Sequence, residues 1–327
     1  MEVLVTGGAG FIGSHLSAAL LEEGHSVTVL DNLDPYYDVG IKERNLEMCR
    51  EAGGERFSFV EGSITDEDTV ESVFDDATFQ LVFHKAAQAG VRASVEDPAK
   101  PHEINTTALL ELLERSVEHG VERFVNASSS SVYGEPEYLP YDEMHPTTPK
   151  SPYAVTKLAA EHYCRVWHEL YGLPTVNLRY FTVYGPRMRP NMAITNFTSR
   201  CLNGDAPVIY GDGQQTRDFT YVDDVVEANL SLLGTDAADG ETLNIGSTGN
   251  ITIEELALFV VEETGADVNL EHGSAKAGDA RHTHADVSKA RALLGYQPSV
   301  SIREGVSRFI DWYRENREWY EPLVLAS

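Results

Sequence analysis

Lysine is scarce in this chain. Seven of its 25 basic residues are lysine, and they face 52 acids for a net charge of −27. Nucleic acid and anionic membrane surfaces repel such a protein, so neither is an expected partner. The acids are spread along the sequence rather than gathered in a tail, which makes the whole surface acidic. Adaptation to high salt, where carboxylates keep a surface hydrated, is the reading this suggests. Cysteine is sparse too. Cys49, Cys164 and Cys201 stand apart with no C-x-x-C, which argues against a disulfide framework and a zinc site and reads as reduced thiols in a cytoplasmic protein. No apolar run reaches the roughly 18 residues of a membrane-spanning helix. The N-terminus carries no basic leader or cleavage motif. Internal repeats and low-complexity stretches are absent. His282-Thr283-His284 would place two imidazoles on one face of a strand, but no acid or thiol joins them by motif, so no metal is expected.

What is present begins with Val3-Leu4-Val5-Thr6, a short apolar run of the kind that forms a buried parallel strand. It ends in Gly7-Gly8-Ala9-Gly10-Phe11-Ile12-Gly13. Glycines there permit a tight turn and a close approach of backbone to a pyrophosphate. The helix that follows, about Phe11 to Glu23, points its N-terminus at the anion. A second strand, Ser26–Leu30, ends at Asp31, 18 residues beyond Gly13. A carboxylate there suits the ribose hydroxyls of an adenosine and repels a 2′-phosphate, and no Arg lies between Asp31 and Tyr37. NAD is therefore expected rather than NADP.

Alternating helices and strands continue to about residue 180. Phe79–His84 reads as a strand leading into Lys85-Ala86-Ala87, where small residues allow a cofactor to pass. Glu103–His119 reads as a helix. Arg123–Ala127 reads as a strand that opens into Ser128-Ser129-Ser130-Ser131, a polar turn at the crevice above the sheet. Tyr153 and Lys157 lie four apart and share one face of a helix. An ammonium beside a phenol favours phenolate, so Tyr153 is a candidate general base tuned by Lys157. The fold class is thus α/β, a doubly wound parallel sheet. Residues 1–180 form the dinucleotide-binding domain and 181–327 a smaller mixed lobe, some of whose segments return to the main sheet.

These motifs, together with Leu178-Arg179-Tyr180-Phe181 and Gly211-Asp212-Gly213-Gln214-Gln215-Thr216-Arg217-Asp218-Phe219, resemble the extended short-chain dehydrogenase/reductase family of nucleotide-sugar epimerases and dehydratases. The resemblance covers nearly the whole chain. It implies a Rossmann-like domain with tightly held NAD, a second lobe for the nucleotide sugar, and a homodimer through the helices near 103–119 and 152–170. Within that family, Ala87–Arg92 and Phe181–Ile194 look most like UDP-glucuronate 4-epimerases, with UDP-glucose 4-epimerases close behind. Dehydratases carry Asp-Glu after the catalytic hydroxyl, and UDP-glucuronate decarboxylases carry Glu two positions after it. Here those positions are Ser130 and Ser131. The alternatives are a UDP-glucose 4-epimerase, a decarboxylase, a net oxidoreductase that releases NADH, or an NAD-sensing regulator.

The resemblance assigns roles residue by residue. Tyr153, Lys157 and Ser129 are the catalytic set. Gly7, Gly10, Phe11, Ile12, Gly13, Asp31, Asn32, Ala86, Ala87, Lys157, Tyr180 and Val183 hold the cofactor. Arg217, Lys276, Asp279, Asn196 and Tyr210 hold the nucleotide, with Arg281 a further diphosphate candidate. Arg92, Ser130, Ser131, Thr182 and Arg189 surround a C6 carboxylate. Two departures stand out: Ser63 replaces an Asp that meets the adenine in many relatives, and Lys85 replaces an apolar residue.

Overall fold

The computed structural model describes residues 1–247, 249–274 and 280–326. Six parallel strands follow one another through the first half: β1 (Glu2–Thr6), β2 (Ser26–Asp31), β3 (Phe57–Glu61), β4 (Leu81–His84), β5 (Arg123–Ser129) and β6 (Thr175–Tyr180). Between them run α1 (Phe11–Glu22), α2 (Val39–Gly53), α3 (Glu67–Asp76), α4 (Val91–Glu96), α5 (Ala99–His102), α6 (Ala108–Glu118) and α7 (Pro152–Tyr171). The second half adds the short strands β7 (Thr182–Tyr184), β8 (Val208–Tyr210), β9 (Thr216–Arg217) and β10 (Phe219–Tyr221). It also adds β11 (Thr242–Ile245), β12 (Ile251–Thr252) and β13 (Glu271–Gly273). Its helices are α8 (Ala193–Leu202), α9 (Val222–Leu230), α10 (Ile253–Thr264), α11 (Ser288–Leu294), α12 (Ile302–Glu315) and α13 (Arg317–Leu325).

The central sheet has seven strands in the order β11-β6-β5-β4-β1-β2-β3. The strand order reverses between β1 and β4, which is where a doubly wound sheet opens its ligand crevice. Alternation along each strand fills both faces. Val3, Val5, Val27, Val29, Phe83 and Val125 pack with Leu16 and Leu20 of α1 on one side. Leu4, Leu30, Val82 and Phe124 pack with Val70 of α3 and Leu109 and Leu112 of α6 on the other. Both faces are covered, so these strands read as continuous apolar runs.

A separate core forms in the second half around Tyr184, Ile194, Phe197, Phe219, Leu256, Phe309 and Ile310. Tyr37 and Ile41 from the first half enter that core. In turn β11 joins the main sheet beside β6, and Val222 and Val225 of α9 join the core that contains α1.

The expected helix over 103–119 differs in form. A π-type segment, Glu103–Thr107, precedes α6, and the helical path already begins at α5. Asn105 on this segment is buried; its side-chain oxygen accepts from Gln88 N at 2.8 Å, and its Nδ2 donates to Thr156 Oγ1 at 3.0 Å. The wider turn lets one side chain serve both the β4 loop and α7.

Candidate active site

The turn after β1 is built for close passage. Gly7 has φ +70, and a Cβ there would lie 2.5 Å from Ala86 N. A Cβ on Gly13 would lie 2.3 Å from Gly7 O. Only glycine lets α1 sit this tightly against the β1 turn and the β4 loop. The N-terminus of α1 has no side-chain cap and no acid in its first turn, so its free N–H groups face the cavity with the helix dipole behind them. Asp31 closes the other end. Its carboxylate accepts from Ala9 N at 3.1 Å and Leu33 N at 2.9 Å, and Lys42 Nζ lies 3.7 Å from it. Asn32 is occupied in part by its own turn, accepting from Asp34 N at 3.1 Å. Ser63 lines the cavity, with its hydroxyl 2.8 Å from that of Thr65.

The helix α7 brings the central pair. Ser151 caps it by accepting from Ala154 N at 3.2 Å, Pro152 takes the first turn, and Gly172 ends it in the left-handed conformation at φ 71. One turn beyond Lys157, Glu161 anchors α7 to the sheet. Its carboxylate takes two bonds from Arg179, at 2.8 and 2.7 Å, and both residues are buried. This ion pair fixes the rotation of α7, and with it where Tyr153 and Lys157 point.

The Lys157 ammonium donates to Ala127 O at 2.8 Å and lies 6.0 Å from the Tyr153 ring centre. Burial pushes Lys157 down to about 8. Burial also pushes the Tyr153 phenol up from its ordinary value; the Ser129 hydroxyl, through a side-chain hydrogen bond, and the charge of Arg189 act against that rise. Lys157 was expected to favour the phenolate; in the protein without a ligand, loss of solvent around the phenol outweighs the groups that favour its charged form.

One cavity of about 1560 Å³ connects all these groups. That exceeds the few hundred to about 1,000 Å³ of a single-ligand site. Its lining includes the dinucleotide candidates Gly7, Gly10, Phe11, Ile12, Gly13, Asp31, Asn32, Ala86, Ala87, Tyr180 and Val183. Ser129, Ser130, Ser131, Tyr153, Lys157, Thr182 and Arg189 line it too, as do Asn196, Tyr210, Arg217 and Arg281. Lys276 and Asp279 lie outside the described residues.

Among the described residues, three buried polar atoms of the cavity lining lack a protein partner: Tyr37 Oη, Ser131 Oγ and Arg189 Nη1. Arg189 Nη2 lies 3.7 Å from Met192 Sδ, and the guanidinium stands over the Tyr36 ring at 5.7 Å. Arg217 donates to Thr216 O and Arg281 O, and Arg281 is paired with Asp212 at 2.7 Å. The Arg92 guanidinium stacks over the Tyr210 ring at 5.7 Å. The structure thus brings together two residues assigned to opposite ends of the substrate.

A family profile described as GDP-mannose 4,6 dehydratase matches residues 4–309. The UDP-glucuronate 4-epimerase of Thermodesulfobacterium geofontis is 39% identical over 321 residues, 98% of each chain. The chain belongs to the extended short-chain dehydrogenase/reductase family. A solved family member, the UDP-glucuronic acid 4-epimerase of Bacillus cereus in complex with UDP-glucuronic acid and NAD, superposes with a TM-score of 0.91 at 36% identity, covering 96% of this chain and 99% of that one. The UDP-glucose 4-epimerase of Thermotoga maritima with UDP-glucose superposes with a TM-score of 0.89 at 38% identity, covering 97% and 100%.

Some residues of the site carried no sequence signal. Lys42 sits 11 positions past Asp31 in no motif, and only the fold of α2 returns it to the carboxylate. Tyr36 enters through the loop before α2. No cluster of three or more His, Cys, Asp or Glu side chains converges among the described residues. His282 Nδ1 instead lies 3.0 Å from Thr216 Oγ1.

Proposed function

We propose that this chain inverts C4 of UDP-glucuronate to give UDP-galacturonate, using one resident NAD that ends each turnover as it began. The observation that carries the uronate reading is a pair of buried donors without protein partners, Ser131 Oγ and Arg189 Nη1, both lining the cavity around Tyr153. A buried guanidinium nitrogen without a hydrogen-bond partner is costly, and a carboxylate supplied by the ligand removes that cost. A neutral hexose offers no such partner. The glycine turn, the uncapped α1 and Asp31 suit the dinucleotide, which when bound supplies a hydride acceptor and donor next to the sugar.

The chain's own groups do the rest. Tyr153 takes the proton of the 4-OH and, once the 4-keto sugar has turned over so that hydride returns to the opposite face of C4, gives the proton back to the C4 oxygen. Burial alone opposes that role, so the positive charge of an oxidised nicotinamide is needed to bring the phenol down, which ties deprotonation to the oxidised state. Ser129 shares the hydrogen bond to the reacting oxygen. Lys157 adds charge and a donor for the nicotinamide ribose. Arg189, Ser130, Ser131 and Thr182 hold the C6 carboxylate. The 4-keto form is a β-keto acid, and an ion pair on its carboxylate opposes loss of carbon dioxide. Arg217, with Lys276, serves the diphosphate; Tyr210 serves uracil, Asn196 the nucleotide, and Asp279 its ribose. Arg92 has to leave Tyr210 before it can reach the carboxylate.

UDP-glucose is the competing substrate, since relatives of comparable similarity bear that name. The test is the rate on UDP-glucuronate and on UDP-glucose, without added NAD, read from anomeric protons. The parent is expected to prefer the uronate. Arg189→Ala should lose roughly 10–100-fold on the uronate, the scale of a charge-assisted hydrogen bond, and much less on the neutral sugar. A parent that prefers UDP-glucose would overturn the assignment.

A further inference from the structure

Lys85 follows β4 directly and lines the cavity beside Ala86, Lys157 and Tyr180. Its ammonium donates to Tyr180 OH at 2.8 Å and to Asn229 Oδ1 at 2.9 Å. Tyr180 OH donates to the same Asn229 oxygen at 3.0 Å, and Asn229 is fixed by its Nδ2 donating to Val225 O at 2.7 Å. Among the described residues no carboxylate pairs with Lys85. Among the described residues the groups it meets are neutral or cationic: Phe83 and His84 on β4, Tyr180 on β6, Asn229 on α9 and Lys157 on α7. Burial holds His84 neutral, pushed down to about 3. Burial and Lys157 likewise hold Lys85 well below the ordinary lysine range.

Lys85 is half-buried, and its two hydrogen bonds come with no counter-ion among the described residues; a purely structural role is unfavourable, because an apolar side chain of similar volume would stabilise the same place. We propose that Lys85 is a positioning residue that biases the resident nicotinamide toward its reduced form. The inference rests on the reading of a resident NAD given above. Hydride transfer to the ring brings two electrons and one proton and removes the ring's positive charge. Repulsion among the ring, Lys157 and Lys85 then falls, so a cation at Lys85 is better tolerated beside the reduced ring than beside the oxidised one. The Tyr180–Asn229 clamp keeps the amine at this post rather than in solvent.

The test is a reductive titration of the purified holoenzyme with viologen dyes as mediators, following the near-ultraviolet absorbance of the reduced dinucleotide. Lys85→Met is expected to shift the reduced-to-oxidised ratio at fixed potential about tenfold toward oxidised, or roughly 30 mV for this two-electron couple. Lys85→Arg, which carries a full charge at every working pH, should titrate like the parent or further toward reduced, and not toward oxidised. Asn229→Asp gives Lys85 a counter-ion with little change of shape and should shift in the same direction as the Met variant, which provides a second reading if that variant folds poorly. An unmoved midpoint in dinucleotide-loaded Lys85→Met or Asn229→Asp overturns the role of Lys85 and leaves the epimerase reading standing. A parent protein that binds no dinucleotide overturns both.

Discussion

Tyr153 shows how far residue types alone carry the argument. Its spacing from Lys157 marks it as the base, and the helix does put the two side chains on one face. The balance of forces on the phenol depended on burial, which no spacing reveals. Enclosure raises it, and the Ser129 hydroxyl is first among the groups that lower it. The base acts when deprotonated, so the rate on the sugar should rise with pH through the phenol's value in the loaded enzyme. Removing a hydrogen bond that favours phenolate raises that value. Ser129→Ala is therefore expected to move the rising limb of kcat/KM to higher pH, with a loss of about 10–100-fold near neutrality. A limb that stays in place while the rate falls would mean that Ser129 does not set the phenol. Lys42 and Lys85 were illegible as partners, since each meets its neighbours only after distant segments fold together.

At the scale of elements, legibility followed local chemistry. The glycine turn and α1 were readable because backbone geometry demands those residues in that order. The helix α7 was expected from the spacing of Tyr153 and Lys157, and the structure adds its local end signals, Ser151, Pro152 and Gly172. The strands β1 and β2 stood out as short apolar runs on either side of α1. The π-type segment at Glu103–Thr107 was hidden, because it answers to Gln88 and Thr156 rather than to its own sequence. β11 was also hidden. Four residues, Thr242–Ile245, carry little signal, and their place beside β6 is decided by pairing across the fold. The expectation that part of the second half returns to the main sheet had no residues attached to it until that pairing was seen.

For the whole molecule, charge is the dominant feature. Most of the 52 acids face solvent, and at −27 their mutual repulsion opposes compaction. In about 1 M salt the Debye length is near 3 Å, so both this repulsion and the repulsion of an anionic substrate are confined to contact distance, and local cations such as Arg217 decide binding. We propose that the protein is adapted to such conditions. Its thermal midpoint should climb by about ten degrees or more between 0.1 and 2 M KCl, given several kcal/mol of relieved repulsion; a midpoint indifferent to salt would remove this proposal. On the proposed reading, the same screening lets an acidic protein take a ligand with two phosphates and a carboxylate.

On the proposed mechanism a hydride leaves C4 of the sugar and comes back within one enzyme-bound turnover. The most direct measurement is incubation of the protein, with no added NAD, with UDP-glucuronate carrying deuterium at C4 in ordinary water, followed by NMR of both epimers. Interconversion is expected with the deuterium retained at C4 in both sugars. Replacement of that deuterium by solvent hydrogen, or turnover only when NAD is supplied, would contradict it.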